Sequence, residues 1–168
     1  VFEYNLATPW DLSTASYSGN DFNVDTGASQ RPMQIYLRSN GTTMFILGAG
    51  GTSADAVFQY TLSTPWDIST ASYDNISFSV NTEDTDPQGI SFHPNGDKFF
   101  MVGRVGFSVY EYEMTTPWDI TTASHTSVRL YTGSPDQIAN GTLPIPHGVY
   151  VQPEGNKLFV IDNGIAEV

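Results

Sequence analysis

The chain has 168 residues, which is enough for one well-cored domain, and 39% of them are hydrophobic, as in folded globular proteins. Six basic residues against 18 acidic ones give a formal net charge of −12, so the chain as a whole repels nucleic acids and anionic membrane surfaces. Cysteine is absent, which excludes disulfides and thiolate chemistry, and no apolar run approaches the roughly 18 residues that a membrane insertion needs.

The chain begins with a strand pattern and a loop motif that both recur twice. In residues 2–6, 58–62 and 110–114, apolar and polar side chains alternate, which predicts an antiparallel strand with one wet face. A Thr-Pro-Trp-Asp motif follows each of these strands, beginning at Thr8, Thr64 and Thr116, and Thr-Ala-Ser comes shortly after it. A weaker, more polar strand follows each motif. The chain is therefore a repeat protein.

A second repeated block lies between these motifs. It begins with a proline and an apolar alternation, continues into a turn, and ends in a short run that is apolar on both faces. The turns are Asn40-Gly41, Asn95-Gly96 and Glu154-Gly155, where glycine supplies the positive φ of a hairpin. The apolar runs are residues 44–47, 99–102 and 158–161, which predict strands covered on both sides.

Four antiparallel strands in a unit of roughly 40–55 residues are typical of a propeller blade. We therefore predict an all-β fold, a β-propeller with three blade-equivalents in the chain. Residues 1–27 supply strands three and four of one blade, residues 28–83 and 84–132 form two complete blades, and residues 133–168 supply strands one and two of another.

Three blades are too few to close a ring, because propellers typically have four to eight. The two half-blades have complementary strands, so we expect a head-to-tail homodimer with six blades and twofold symmetry. The alternative is that the chain is a segment of a longer single-chain propeller.

The repeat also supports a resemblance. Residues 88–99, Gln-Gly-Ile-Ser-Phe-His-Pro-Asn-Gly-Asp-Lys-Phe, and residues 109–112, Val-Tyr-Glu-Tyr, which lead into Thr-Pro-Trp-Asp, resemble repeats of uncharacterised bacterial, phage and environmental β-propeller proteins. They are also similar to lactonase-like and surface-layer propeller repeats. The resemblance implies the fold; it transfers no catalytic residue, because the metal-binding Glu, Asp and Asn of lactonase-type propellers find no match here.

Ligand-binding residues of a propeller gather in the loops around the central opening. We take as candidates the loop positions at which otherwise matched repeats diverge: Arg31, Asp86, Gln88, Arg104, His147 and Asp162. His147 enters a first strand beside the expected channel. Residues 133–143 form the longest departure from the repeat, and a lid or a contact between subunits is the role expected of them.

Other chemistry-bearing residues favour structural interpretations. The tryptophans of the three motifs are expected to pin their loops and the aspartates to cap the local turn, although stacking of indoles on sugar rings is the alternative. The acidic cluster Glu83, Asp84 and Asp86 is expected to be solvated. The three histidines share no metal-ligand spacing, so no metal or other cofactor is expected.

The sequence therefore favours a non-enzymatic binding or scaffold propeller that presents loops to a protein, glycan or small ligand, with an extracellular or virion-associated location. Two alternatives stay open. One is a metal-dependent hydrolase, lactonase-like, with its site in the central channel. The other is a multivalent glycan-binding lectin that uses the Trp-Asp loops.

Overall fold

The structure, a computed structural model, describes residues 1–24, 31–51, 54–133, 139, 141 and 143–164. This part of the chain contains twelve strands, and every strand pairing in it is antiparallel. The predicted all-β architecture is confirmed at this level. No helix in the described ranges is long and apolar enough to cross a membrane.

The strands form two complete sheets and two smaller ones. The first half-sheet consists of β1 (Phe2–Leu6) and β2 (Ala15–Asp21). The first full sheet consists of β3 (Arg31–Leu37), β4 (Thr43–Ala49), β5 (Ala56–Leu62) and β6 (Ala71–Ser79). The second full sheet consists of β7 (Pro87–Phe92), β8 (Lys98–Gly103), β9 (Ser108–Met114) and β10 (Ala123–Tyr131). The second half-sheet consists of β11 (Pro146–Val151) and β12 (Leu158–Asp162).

Each full sheet is a meander in which neighbouring strands are consecutive in the chain. Its loops therefore fall at two ends. The hairpin end carries the turns between first and second strands and the Thr-Pro-Trp-Asp loops, residues 38–42, 63–70, 93–97 and 115–122 in the full sheets. The connecting end carries the passage from one full sheet to the next, residues 80–86, and the loop between second and third strands, residues 104–107 in the second full sheet.

The turns at the hairpin end have the predicted glycine chemistry. Gly41, Gly96 and Gly155 have φ values of 72, 75 and 75°. A side chain is strained in this left-handed region, and glycine is not. The three turns are therefore built alike, and this similarity allows the incomplete sheets to be compared with the complete ones.

The main core lies between the two full sheets, which pack face to face. Phe45 of β4 stacks on Phe92 of β7 with ring centroids 4.7 Å apart, and Phe99 stacks on Tyr112 within the second sheet at 4.5 Å. A second core lies between the first half-sheet and the first full sheet, where Phe22 meets the edge of Tyr60 at 5.5 Å. Neighbouring sheets thus cover each other's faces.

The third strands are more buried than their alternation predicts. In β5, Phe58 and Tyr60 are buried as expected, but the polar Gln59 on the opposite face is half-buried and only Thr61 is exposed. The same pattern recurs in β9. The neighbouring sheets cover both faces of these strands, which a single-strand alternation cannot show.

Candidate ligand-binding site

The six candidate residues lie at the connecting end of the sheets. This follows from the topology, because first strands begin there and second strands finish there. Arg31, Gln88 and His147 lie at or near the start of first strands, Asp86 precedes β7, Arg104 follows β8 and Asp162 ends β12.

The structure brings three of these residues together. Arg104 Nη2 lies 2.5 Å from Asp86 Oδ2, and Gln88 Nε2 donates to Asp86 Oδ1 at 2.6 Å. The Arg104 amide donates to the Asp86 carbonyl at 3.0 Å, so backbone and side chain fix the same pair. The Arg104 side chain is 44% exposed and that of Asp86 only 14%, so the guanidinium is the part of the cluster that faces solvent.

Asp84 lies behind this cluster and holds the loop together. The residue is 2% exposed, and its carboxylate accepts hydrogen bonds from the amides of Asp86 at 2.9 Å, Val105 at 3.2 Å and Gly106 at 2.7 Å. A Cβ on Gly103 would lie 2.1 Å from Asp84 Cγ, so glycine at that position makes room for the carboxylate. Residues 80–86 and 104–107 are thereby cross-linked through one side chain.

The expectation of a solvated acidic cluster is therefore wrong for Asp84. Burial of a carboxylate is unfavourable unless charge-assisted hydrogen bonds replace its water shell. Here backbone N–H groups provide that replacement. Their convergence depends on the path of a loop more than twenty residues away, which charge patterning does not show.

Two more carboxylates accept hydrogen bonds that hold other loops of the connecting end together. Asp55 is fully buried and accepts from the Gly50 amide at 2.9 Å and from Asn81 Nδ2 at 2.7 Å. Asp162 Oδ1 accepts from the amide of Ile145 at 2.8 Å and of Gly164 at 2.6 Å. We call Asp55, Asp84 and Asp162 the loop braces.

Arg31 and His147 are exposed at the starts of β3 and β11. Among the described residues, no hydrogen bond or ion pair joins either of them to the Arg104 cluster. The first strands themselves come close: Gln34 Oε1 accepts from the Ile90 amide at 2.8 Å, and a Cβ on Gly89 would lie 2.9 Å from Gly148 Cα. These contacts place β3, β7 and β11 side by side. Residues 133–143 fall mostly outside the described residues.

A cavity of about 430 Å³ opens beside the first strand of the second half-sheet. Its lining is mostly apolar and consists of Gln34, Gly148, Val149, Tyr150, Phe159 and Ile161. None of the six candidate residues contributes to it. Its apolar wall resembles an uncovered sheet face more than a polar ligand site.

The histidines lie apart from one another. His93 Nδ1 pairs with Asp97 Oδ1 at the hairpin end, and this hydrogen bond lowers the pKa of Asp97 below its usual value. His125 lies on the outer strand β10, and its Nδ1 is 3.6 Å from Oε1 of Glu83, which belongs to the connection between the two full sheets. Across the described residues, no group of three or more histidine, aspartate or glutamate side chains is placed to hold a metal ion.

The tryptophan loops are built into the sheets. The Trp118 amide donates to the Gly96 carbonyl at 2.8 Å, and the indole lies so close over this turn that a Cβ on Gly96 would be 2.3 Å from it. The same ring stacks with Phe92 at 5.9 Å and with Tyr36 of the preceding sheet at 6.1 Å. Trp66 repeats the contact with its own turn, with its amide 2.9 Å from the Gly41 carbonyl.

The aspartates of these loops cap the short 3₁₀ turns that follow, Leu12–Thr14, Ile68–Thr70 and Ile120–Thr122. The three acceptor–donor pairs have the same 3.0 Å distance: Asp11 with the Ser13 amide, Asp67 with the Ser69 amide and Asp119 with the Thr121 amide. The predicted capping role is confirmed. The contacts of Trp66 and Trp118 likewise favour the structural interpretation of the motif.

Comparison with known proteins defines the type of fold. No family model matches the chain, and no curated protein matches it. A solved structure of a protein from Lactobacillus plantarum is similar, with a TM-score of 0.55 and 16% identity over 79% of this chain and 35% of that one. The structure of a putative 6-phosphogluconolactonase from Bacteroides uniformis is similar as well, with a TM-score of 0.50 and 13% identity over 76% of this chain and 32% of that one.

These likenesses, together with the four-stranded antiparallel sheets, define a β-propeller-type fold. The chain spans about a third of the length of the solved structures that it matches. At such low identity the likeness concerns the fold and leaves activity open.

Proposed function

We propose that this chain is a non-enzymatic binding module of a propeller, which presents the loops of its connecting end to a ligand. The observation that supports this most is the use of the loop braces. Asp55, Asp84 and Asp162 each accept hydrogen bonds that fix the loops, and Asp86 is held by Arg104 and Gln88. Carboxylates engaged in this way rigidify a surface for binding.

The exposed groups at this end determine the ligand chemistry. Arg31 and Arg104 carry two of the six basic side chains of a chain whose net charge is −12, and His147 adds a further donor. Arginine recognises carboxylates and other planar acceptors with several N–H groups. The ligand is therefore one rich in hydrogen-bond acceptors, such as a glycan, an acidic protein loop or a small oxygen-rich molecule.

The ring around the channel would be completed by a second copy, which gives six blades in a head-to-tail homodimer. This assembly presents every connecting-end loop twice around one axis. Multivalent binding of a repetitive ligand would raise the apparent affinity without any new contact.

Binding to a glycan array and to acidic peptides tests the proposal, with Arg104→Ala and Arg38→Ala compared. Arg38 lies in the turn between β3 and β4 at the opposite, hairpin end, so its loss should leave binding intact, whereas loss of the Arg104 guanidinium should weaken binding about tenfold or more. Equal binding by both variants and the unaltered protein would refute the assignment of the site.

The same protein should show no turnover of lactones and esters, with or without added divalent cations. Turnover that is lost in Asp86→Asn or His147→Ala would establish the hydrolase alternative. The similar protein from Bacteroides uniformis is named as a lactonase, which is a hydrolase. Binding to glycans that is lost in Trp10→Ala at a concentration where this variant is still dimeric, and kept in Arg104→Ala, would establish the lectin alternative.

A further inference from the structure

The three equivalent tryptophans differ sharply in exposure. Trp118 is half-buried, Trp66 is 53% exposed and Trp10 is 99% exposed, although all three have the same φ of 67°. Trp118 contacts both its own glycine turn and the preceding sheet. Trp66 contacts only its glycine turn, because a half-sheet and not a complete sheet precedes its own sheet. Among the described residues, Trp10 contacts neither a glycine turn nor a preceding sheet.

A left-handed φ at a non-glycine residue costs about 1–3 kcal/mol and persists where surrounding contacts require it. In all three loops the turn itself holds this conformation, because the amides of Asp11, Asp67 and Asp119 donate to the carbonyls of Thr8, Thr64 and Thr116 at 3.1–3.2 Å. Trp66 and Trp118 pack in addition on a glycine turn, whereas Trp10 holds the same geometry with its indole exposed. The matching turn also exists in the chain: Gly155 has a φ of 75°, and a Cβ on it would have nothing within 4 Å.

The strands beside these two residues repeat the contrast. Phe2 and Tyr4 of β1 are 70% and 62% exposed, whereas the equivalent Phe58 and Tyr60 of β5 are each 1% exposed. On β12, Ile161 is 71% exposed, whereas the equivalent Leu47 of β4 is fully buried. In the described residues β1 pairs only with β2, and β12 only with β11.

We infer that β1 of one copy pairs with β12 of a second copy, and that Trp10 then packs over Gly155 of that copy. This inference deepens the proposed function, because it specifies how the proposed ring is closed. The joined half-sheets form one four-stranded sheet in the order of the two complete ones. The interface continues the packing already seen between sheets within the chain.

The complete sheets fix the register of this pairing. Thr43 lies opposite Thr61 in the first full sheet, and Lys98 lies opposite Glu113 in the second. The equivalent positions in the half-sheets are Lys157 and Asn5. Two further pairs follow in the same register: Leu158 faces Tyr4, and Val160 faces Phe2. The Trp10 amide donates to the Gly155 carbonyl, as Trp66 does to Gly41.

The same arrangement covers two other exposed apolar groups. Tyr150 and Phe159 are equivalent to Tyr36 and Phe45, which stack against Trp118 at 6.1 and 6.3 Å. In the assembly they reach Trp66 of the partner copy, which explains why Trp66 is half-covered in one chain.

Leu12 is the third apolar group that the assembly covers. Its equivalent Ile120 is fully buried in the core that includes Ile76 and Phe78 of the preceding sheet. The positions equivalent to Ile76 and Phe78 are Val128 and Leu130, which are 57% and 55% exposed on β10. Leu12 of one copy therefore packs on β10 of the other.

Cysteine cross-linking tests the register, because the chain contains no cysteine of its own. The Thr43–Thr61 pair is not mutually hydrogen-bonded, since the neighbouring Leu62 amide bonds to the Thr42 carbonyl at 2.9 Å. In such pairs the Cα atoms lie about 4.5 Å apart, within the range that a disulfide spans. The chain carrying Asn5→Cys and Lys157→Cys should become a covalent dimer under mild oxidation.

The control carries Asn5→Cys and Asn163→Cys, which has the same number of thiols but places the second one at the opposite end of β12. It should stay uncross-linked, as should each single variant. A monomer cross-linked within itself, or equal cross-linking in the control, would overturn the inference.

Trp10→Ala gives a second readout that does not depend on disulfide geometry. Burial of a large side chain corresponds to roughly a tenfold or greater change in an equilibrium constant, so the dimer should dissociate at least tenfold more readily. Val105→Ala, which shortens an exposed apolar side chain at the connecting end, should change dissociation little. No ligand is needed for either experiment. A failed cross-link therefore leaves the binding proposal standing, and failed ligand binding leaves the interface standing.

Discussion

Replacement of Gly96 by alanine probes the contact between turn and tryptophan. Two costs are expected. The left-handed backbone at φ 75° costs alanine about 1–2 kcal/mol relative to glycine. The new Cβ would also lie 2.3 Å from the Trp118 indole, and moving the ring out of its stack costs about 1–3 kcal/mol. Gly96→Ala should therefore lower the free energy of unfolding by about 2–5 kcal/mol.

A double-mutant cycle separates the two costs. In a Trp118→Ala background the indole is gone, so Gly96→Ala should cost only the backbone strain of about 1–2 kcal/mol. Gly19→Ala, at a φ of 91° with nothing within 4 Å of the added Cβ, is a control for strain alone. Urea unfolding followed by circular dichroism at one protein concentration measures the stabilities of the four proteins of the cycle and of the Gly19→Ala control. If Gly96→Ala costs the same with and without Trp118, the indole does not pack on the turn.

Three further predictions concern the turn of the second half-sheet, the loop braces and a buried phenol. Gly155→Ala should weaken the dimer more than Gly19→Ala does, because only its Cβ meets an indole from the other copy; equal dissociation constants in sedimentation would contradict this. Asp84→Ala should lower the melting temperature through a loss of about 2–4 kcal/mol, because it leaves the amides of Asp86, Val105 and Gly106 without their acceptor; an unchanged melting curve would show that the brace is dispensable. Burial and the neighbouring Glu83 raise the pKa of Tyr112 above its ordinary 10.0. Because the phenol of the unfolded chain then ionises at a lower pH than that of the folded chain, the contribution of the neutral phenol to stability is complete below pH 10 and is lost as the pH rises further. Tyr112→Phe should therefore flatten the loss of stability at alkaline pH in urea titrations, and an equally steep loss in the variant would refute the assignment.

The repeat made the fold accessible from the sequence. The Asn-Gly turns, the apolar runs and the aspartate caps recur at matched positions, and each depends on contacts within a few residues. The burial of the third strands was underestimated, because a neighbouring sheet covers the face that carries Gln59 and Glu111. Whether another sheet of the chain covers a strand depends on the tertiary packing, and the sequence of that strand alone does not show it.

The candidate site could be predicted only in part. Divergence between repeats pointed to Asp86, Gln88 and Arg104. These residues meet because antiparallel pairing brings the start of β7 and the end of β8 together at the connecting end. It overlooked Asp55 and misjudged Asp84, whose partners are backbone amides. A carboxylate that binds backbone looks like any other acidic residue in a sequence, and only the loop path distinguishes it.

The solution mass tests the central claim, that the two half-sheets complete each other in a second copy. Sedimentation equilibrium of the unaltered protein should give twice the chain mass of 18.4 kDa, with a shift toward the single-chain mass in Trp10→Ala. A mass of 18.4 kDa at every concentration, with β1 and β12 left uncovered, would contradict the account.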